Sequence, residues 1–168
     1  MSINIIAAMS KNRVIGKGGK LPWHISQDLK FFKQKTSGLN NAVLMGRNTW
    51  ESLPTYPEPL HDRGSFVITK NNEHLIRTNI YKHPPNYTEL KKIQNIYPNI
   101  WICGGESIYN NYINEPYIDN IYLTEIDMYI KNGDAFFPEI SDNFALRTGE
   151  IHSFKLNAVT FVKYRFNK

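Results

Sequence analysis

The chain has 168 residues, 41% hydrophobic and 21% charged, which suits one globular domain with a real core and excludes a disordered or collagen-like polymer. Cys103 is the single cysteine, so no intramolecular disulfide can form and a reducing compartment is expected. The net charge of +5 is uneven: residues 11–35 carry seven bases against one acid, Asp28, and residues 151–168 carry four bases and no acid. Such a field is either a solvated basic face or an attractor for a polyanionic ligand. No Cys/His finger, RNP-type sequence or helix-turn-helix signal supports nucleic-acid binding as the main function. No signal peptide or bilayer-spanning run is expected, so the reading is a cytoplasmic protein without membrane partners.

In chain order, residues 3–9 form an apolar run that predicts a buried strand. Residues 10–25 contain Gly16, Gly18, Gly19 and Pro22 and predict a long functional loop. Ser26 is the expected N-cap of a helix running to about residue 37 with Leu29, Phe31 and Phe32. Residues 42–45 predict a strand, and Asn48 opens a short helix to Leu53. Pro54, Pro57 and Pro59 predict a rigid, extended loop. Short strands follow at 66–69 and 79–82. Residues 88–96 read as a helix capped by Thr88, with Leu90, Ile93 and Ile96 on one side. Then come a strand at 100–103, a helix at 106–113, a long strand at 118–126 and a final strand at 158–166. Strands alternate with helices and then follow one another, which implies an α/β sandwich whose mixed sheet is parallel first and antiparallel at one edge.

Two junctions carry the chemistry. LMGRNTW at 44–50 and ICGGESIY at 102–109 are apolar strands that end in glycine and lead into helix-starting residues. Such a junction presents backbone N–H groups to an anion. Gly46 permits close approach, Arg47 offers a forked cation and Thr49 a hydroxyl. Each junction alone is also a plain glycine turn; two in one small domain strengthen each other. No G-x-G-x-x-G is present, because Leu21 stands where the third glycine would follow Gly16 and Gly18. Asp28 is a lone acid in a basic, aromatic helix. It is either a first-turn acid favoured by the helix dipole or a carboxylate at a pocket floor. The five histidines (His24, His61, His74, His83 and His152) lack metal-ligand spacing, and no metal is expected.

Seven segments in order, RVIG (13–16), LPWHISQDLKFF (21–32), LMGRNTWESLP (44–54), PLHDR (59–63), ICGGESIY (102–109), YLTEID (122–127) and GDAFFP (133–138), resemble dihydrofolate reductases over nearly the whole chain. The resemblance implies residues 1–168 as one catalytic domain. Its fold would be a three-layer α/β sandwich with a central, mostly parallel eight-stranded mixed sheet. It implies NADPH-dependent reduction of 7,8-dihydrofolate to tetrahydrofolate, with antifolates as further ligands; a monomer is expected because no apolar stripe is left over. Asp28, Leu21, Trp23 and Thr124 would be the catalytic group. The substrate would meet Ile6, Ala8, Asp28, Leu29, Phe32, Leu53, Leu60, Arg63, Cys103, Tyr109 and Thr124, with Arg63 taking the glutamate α-carboxylate. NADPH would meet Ala8, Ile15, Gly16, Lys20, Gly46, Arg47, Asn48, Thr49, Ile68, Thr69, Lys70, Cys103, Gly104, Gly105, Glu106, Ser107, Ile108 and Tyr109. The resemblance also implies a cis peptide between Gly104 and Gly105, a lid around Leu21 and a tether to that lid from Asp134.

Three features depart from many members. Glu106 replaces a third glycine, Ser107 replaces a base so that Arg47 and Lys70 must supply the phosphate preference, and residues 55–58 lengthen the loop before Arg63. A pyrimidine reductase of riboflavin synthesis with the same fold is the alternative, although Trp23, Asp28 and Arg63 are not expected together there. A non-catalytic nucleotide- or drug-binding module is the second alternative, against which Asp28 and the intact Gly-Gly pair both count. No fused thymidylate synthase is expected in a chain of this length.

Overall fold

The computed structural model describes residues 1–71, 78–145, 154–156 and 159–166. His74, His152 and the first residue expected in the final strand, Ala158, lie outside them. In chain order the elements are β1 (Ser2–Ser10), β2 (Val14–Gly16), α1 (Ser26–Thr36), β3 (Asn41–Gly46), α2 (Arg47–Glu51), β4 (Gly64–Ile68) and β5 (Asn79–Tyr81). They continue with α3 (Tyr87–Gln94), β6 (Asn99–Ile102), α4 (Glu106–Tyr112), β7 (Asn120–Ile126), β8 (Ala135–Phe136), β9 (Phe144–Ala145), β10 (Phe154–Leu156) and β11 (Val159–Phe166).

The main sheet has the order β10-β11-β7-β1-β6-β3-β4-β5, the expected eight strands, and the two-residue β9 pairs with the far end of β11. From β7 to β5 every pairing is parallel, and β11 runs antiparallel to β7 and β10. Period-two alternation divides the strands between two cores. Ile3, Ile5, Ala42, Leu44, Ile100 and Ile102 face Leu90 and Ile93 of α3 and Ile108 and Tyr112 of α4. Ile6, Val43, Met45, Val67, Trp101 and Cys103 face the other way, against Phe31 and Phe32 of α1 and Trp50 of α2. The result is the three-layer arrangement the alternation of elements implied, with helices on both faces of a mostly parallel sheet. No described helix is long and apolar enough to cross a membrane.

Several boundaries differ from the sequence reading. The segment at 10–25 is not all loop: β2 pairs with β8, and Lys17 and Lys20 bridge across a turn. Ser26 is the first residue of α1 rather than its cap; Ile25 holds the cap position and the Ser26 hydroxyl meets Gln27 instead. The proline-rich loop is a run of turns rather than extended chain. Tyr56 N–H bonds Leu53 C=O at 3.0 Å and Glu58 N–H bonds Thr55 C=O at 2.7 Å. Proline at the second position of the first turn presets its φ.

The cap of α3 is Asn86, not Thr88. Its side chain accepts from Glu89 N–H at 3.0 Å while Glu89 Oε2 accepts from Asn86 N–H at 2.8 Å, a reciprocal capping box. Ile96 is 69% exposed because the helix has already ended at Gln94. Asn86→Ala is therefore expected to lower stability by about 1 kcal/mol, whereas Thr88→Ala has no cap to lose; urea unfolding of the two variants checks this.

Candidate active site

Parallel pairing brings the two glycine junctions together. β3 and β6 are neighbours with Leu44 opposite Ile102, so both chains leave the sheet at the same edge. Cys103 N–H donates to Leu44 C=O and Gly46 N–H to Gly104 C=O, each at 2.8 Å. The Gly104–Gly105 peptide is cis and Gly104 has φ +105°. A Cβ on Gly104 would lie 3.0 Å from the Tyr109 ring, and one on Gly46 would lie 3.3 Å from Ile108 Cγ1. A Cβ on Gly105 would stand 3.5 Å from Thr49 Oγ1, so the Thr49 hydroxyl looks across at the second junction. Asn48 and Ser107 are exposed on the first turns of α2 and α4, and Glu106 is half-buried beside Ser107.

The cations at this edge are less free than the sequence suggested. Arg47 Nε donates to Glu51 Oε1 at 2.6 Å and its Nη1 to Asn71 C=O at 3.2 Å. An exposed ion pair one helical turn apart is worth only about 0.3–0.5 kcal/mol. Breaking it to receive a phosphate costs little, so Glu51 orients Arg47 without withholding it. Ile68 ends β4 opposite Gly46, and the Thr69 hydroxyl donates to the same Asn71 carbonyl at 2.8 Å. Lys70 follows, exposed.

A second group gathers on the α1 side of the sheet. Ala8 of β1 stands opposite Thr124 of β7, and α1 lies over them, its Phe31 ring 4.4 Å from that of Phe161. Asp28, 8% exposed, sits in the first turn of α1, and Thr124 is 1% exposed. Burial raises the Asp28 pKa and the Thr124 hydroxyl beside it opposes that rise. Tyr109 donates to Ile6 C=O at 2.8 Å, which fixes its ring between the Gly-Gly turn and β1. The Cys103 thiol is buried against Trp101 C=O at 3.2 Å, and burial pushes its pKa up, so it stays a neutral apolar wall.

Of the apolar residues assigned to the ligands, Ile6, Cys103, Ile108 and Tyr109 are buried in the core, whereas the others on this side are partly open. Leu21 and Leu29 are 50% and 41% exposed, and Trp23, Phe32, Leu53 and Leu60 are half-buried. Partly open apolar side chains around one buried acid make a ligand cleft rather than a packed interior. The basic field reaches this side too: Lys35 of α1 and Lys163 of β11 lie 5.4 and 5.3 Å from the Tyr122 ring centre.

Arg63 lies at the end of α1. Its Nε donates to His61 C=O at 2.9 Å, its Nη1 to Thr36 Oγ1 and its Nη2 to Ser37 Oγ. Neither hydroxyl was found from the sequence, because the contacts span 26 and 27 residues and have no local signature. Glu51 was also missed, although its spacing from Arg47 was visible.

The segment carrying Ile15, Gly16 and Lys20 is moored to residues 131–136. Gly18 N–H donates to Asp134 Oδ2 at 2.7 Å, Asp134 N–H to Gly16 C=O at 3.1 Å and Lys17 Nζ to Lys131 C=O at 3.1 Å. Ile15 packs against the α3–α4 core, while Lys20 is exposed. Among the described residues, no three His, Cys, Asp or Glu side chains group as metal ligands.

A family model described as dihydrofolate reductase matches residues 2–167. The chain is 40% identical over 142 residues to the dihydrofolate reductase of Buchnera aphidicola subsp. Acyrthosiphon pisum (strain APS), covering 83% of this chain and 80% of that one. It is 36% identical over 152 residues to the Drosophila melanogaster dihydrofolate reductase, covering 86% and 83%. Among solved structures it is similar to dihydrofolate reductase from Enterococcus faecalis complexed with NADP(H) and RAB-propyl. There the TM-score is 0.81 at 30% identity, over 99% of this chain and 97% of that one.

Proposed function

Because the chain belongs to the dihydrofolate reductase family, we propose that residues 1–168 form one catalytic domain, a cytoplasmic monomer that reduces 7,8-dihydrofolate to 5,6,7,8-tetrahydrofolate with NADPH. The observation that carries this reading is the buried Asp28 beside Thr124, among partly open apolar side chains of a sheet that also bears the paired glycine junctions.

The residues fit the cofactor. Gly46, Gly104 and Gly105 leave space that a Cβ would fill or crowd, and Thr49, Arg47 and Lys70 would offer the phosphates a hydroxyl and cations. Cys103 and Tyr109 would flank the ring end and Asn48 and Ser107 the phosphate end. When bound, NADPH supplies the hydride that the pteridine imine carbon accepts.

Asp28 would take the 2-amino-pteridine edge as a bidentate, charge-assisted pair, with Thr124 holding the same edge. That contact fixes the ring's orientation against Ile6 and Ala8. The adjacent ring nitrogen gains its proton from solvent, and Asp28 promotes that delivery through water. Leu21, Trp23, Leu29, Phe32, Leu53 and Leu60 would exclude water from the ring faces and the benzoyl group. The mooring of residues 16–18 to Asp134 would hold the lid over them. Antifolates sharing the amino-heterocycle edge would use the same carboxylate.

Purified protein should oxidise NADPH only when dihydrofolate is added, and NADH more slowly. Tight NADPH binding without dihydrofolate-dependent oxidation would contradict the reading and favour a binding module.

A further inference from the structure

The cation assigned to the substrate's carboxylate is oriented by partners that leave its charge intact. Among the described residues no carboxylate lies within ion-pair distance of Arg63. A carboxylate partner would fix the guanidinium but cancel its charge; hydroxyls and a carbonyl fix it and leave the full charge for a ligand. Burial lowers the Arg63 pKa, and the charge of the adjacent Asp62, which is not within ion-pair distance, offsets that only in part.

We propose that Ser37 is a positioning residue for Arg63 and sets the preference for folates that carry the glutamate carboxylate. This rests on the reading of Arg63 given above. Arg63 Nη2 donates to Ser37 Oγ, and Ser37 is held from three sides. Its N–H closes α1 onto Lys33 C=O at 3.0 Å, and its C=O accepts from Asn41 Nδ2 at 2.7 Å. Asn41 Oδ1 in turn accepts from the indole N–H of the buried Trp101 at 2.9 Å.

Gly38, at φ +113°, makes the turn that lets Asn41 fold back, and Asn41 N–H bonds Gly38 C=O at 2.9 Å. Thr36 is the second anchor. It is wholly buried, accepts from Arg63 Nη1 and donates to Phe32 C=O at 2.9 Å, so its hydroxyl cannot rotate away. A relay of fixed groups thus runs from β6, two residues before Cys103, to the edge of the guanidinium. Ser37 itself touches neither ligand in the proposed reading.

The test compares Ser37→Ala, Ser37→Thr and Arg63→Gln with the parent on two substrates, dihydrofolate and a 7,8-dihydropterin lacking the aminobenzoyl-glutamate tail. For Ser37→Ala, KM for dihydrofolate should rise roughly tenfold with kcat changed less than about twofold, the pattern of lost uniform binding. The Kd of folate, read from tryptophan fluorescence, should rise in parallel. Ser37→Thr should restore both, and the tailless pterin should not distinguish Ser37→Ala from the parent. If Arg63→Gln discriminates between the substrates and Ser37→Ala does not, the positioning role is overturned while Arg63 keeps its own. If Arg63→Gln treats both substrates alike, the assignment of Arg63 fails and the proposal with it.

Discussion

Replacing Asp28 by asparagine is expected to lower the turnover of dihydrofolate at about pH 7 by 100-fold or more, the scale of losing a group that assists proton transfer. The change is nearly isosteric and removes only the anion, so NADPH binding and the fold should survive. Stability should even gain. Burial holds the Asp28 pKa above its ordinary 3.8, so the folded chain binds this proton more tightly than the unfolded one. Stability therefore falls as pH rises from the unfolded value through the raised folded value, and the deficit persists at neutral pH. Asparagine carries no such deficit, so the variant's Tm at about pH 7 should equal or exceed the parent's, and the gap should close in acid. Equal turnover in the two proteins would remove Asp28 from the mechanism.

Gly104→Ala should damage stability and cofactor binding together. At φ +105° an L side chain is strained, and its Cβ would stand 3.0 Å from the Tyr109 ring. That ring cannot retreat, because its hydroxyl is bonded to Ile6 C=O and its edge packs on Phe137, with centroids 5.0 Å apart. A loss of about 2–4 kcal/mol on urea unfolding is expected, and NADPH titration should show binding at least about tenfold weaker, or about 1.4 kcal/mol. Gly105→Ala separates the two effects. Its backbone, at φ −82°, tolerates a side chain and the nearest atom would be Thr49 Oγ1 at 3.5 Å. Stability should change by less than about 1 kcal/mol, while NADPH binding weakens because the methyl enters the space between the two junctions. If Gly105→Ala binds NADPH as the parent does, the phosphates do not lie there.

What the sequence made legible was local or periodic. The apolar runs of β1, β3 and β6 and the glycine punctuation after them are properties of short windows, and they gave the sheet and its two junctions. Asn86 followed by Glu89 is also a local signature, but Thr88, two residues on, is of a residue type that caps helices as well. Ile96 continued the apolar spacing of Leu90 and Ile93, but Tyr97 precedes Pro98, which disfavours helical backbone there. β8 has two residues and β10 three; neither is long enough to show alternation, and each is defined by its partner strand.

The site divides in the same way. Asp28 stood out as the one acid in a basic stretch, but Thr124 lies 96 residues further on and only the family resemblance connected them. The hydroxyls that hold Arg63 are invisible to any pattern, because the turn at Gly38 and the end of α1 must be built before Thr36 and Ser37 come within reach of residue 63. Arg47 reads as a forked cation from its residue type alone; its bond to Glu51, one helical turn later, exists only once α2 has formed.

In the proposed reaction a hydride passes directly from the nicotinamide to the pteridine ring held by Asp28. The most direct test is to reduce dihydrofolate with NADPH deuterated stereospecifically at nicotinamide C4, one preparation for each face, and to locate the label by mass and NMR. Deuterium is expected at pteridine C6 from one preparation and none from the other, with solvent supplying the hydrogen on N5. Label at neither ring carbon, or equal transfer from both preparations, would contradict a single fixed face-to-face arrangement in this cleft.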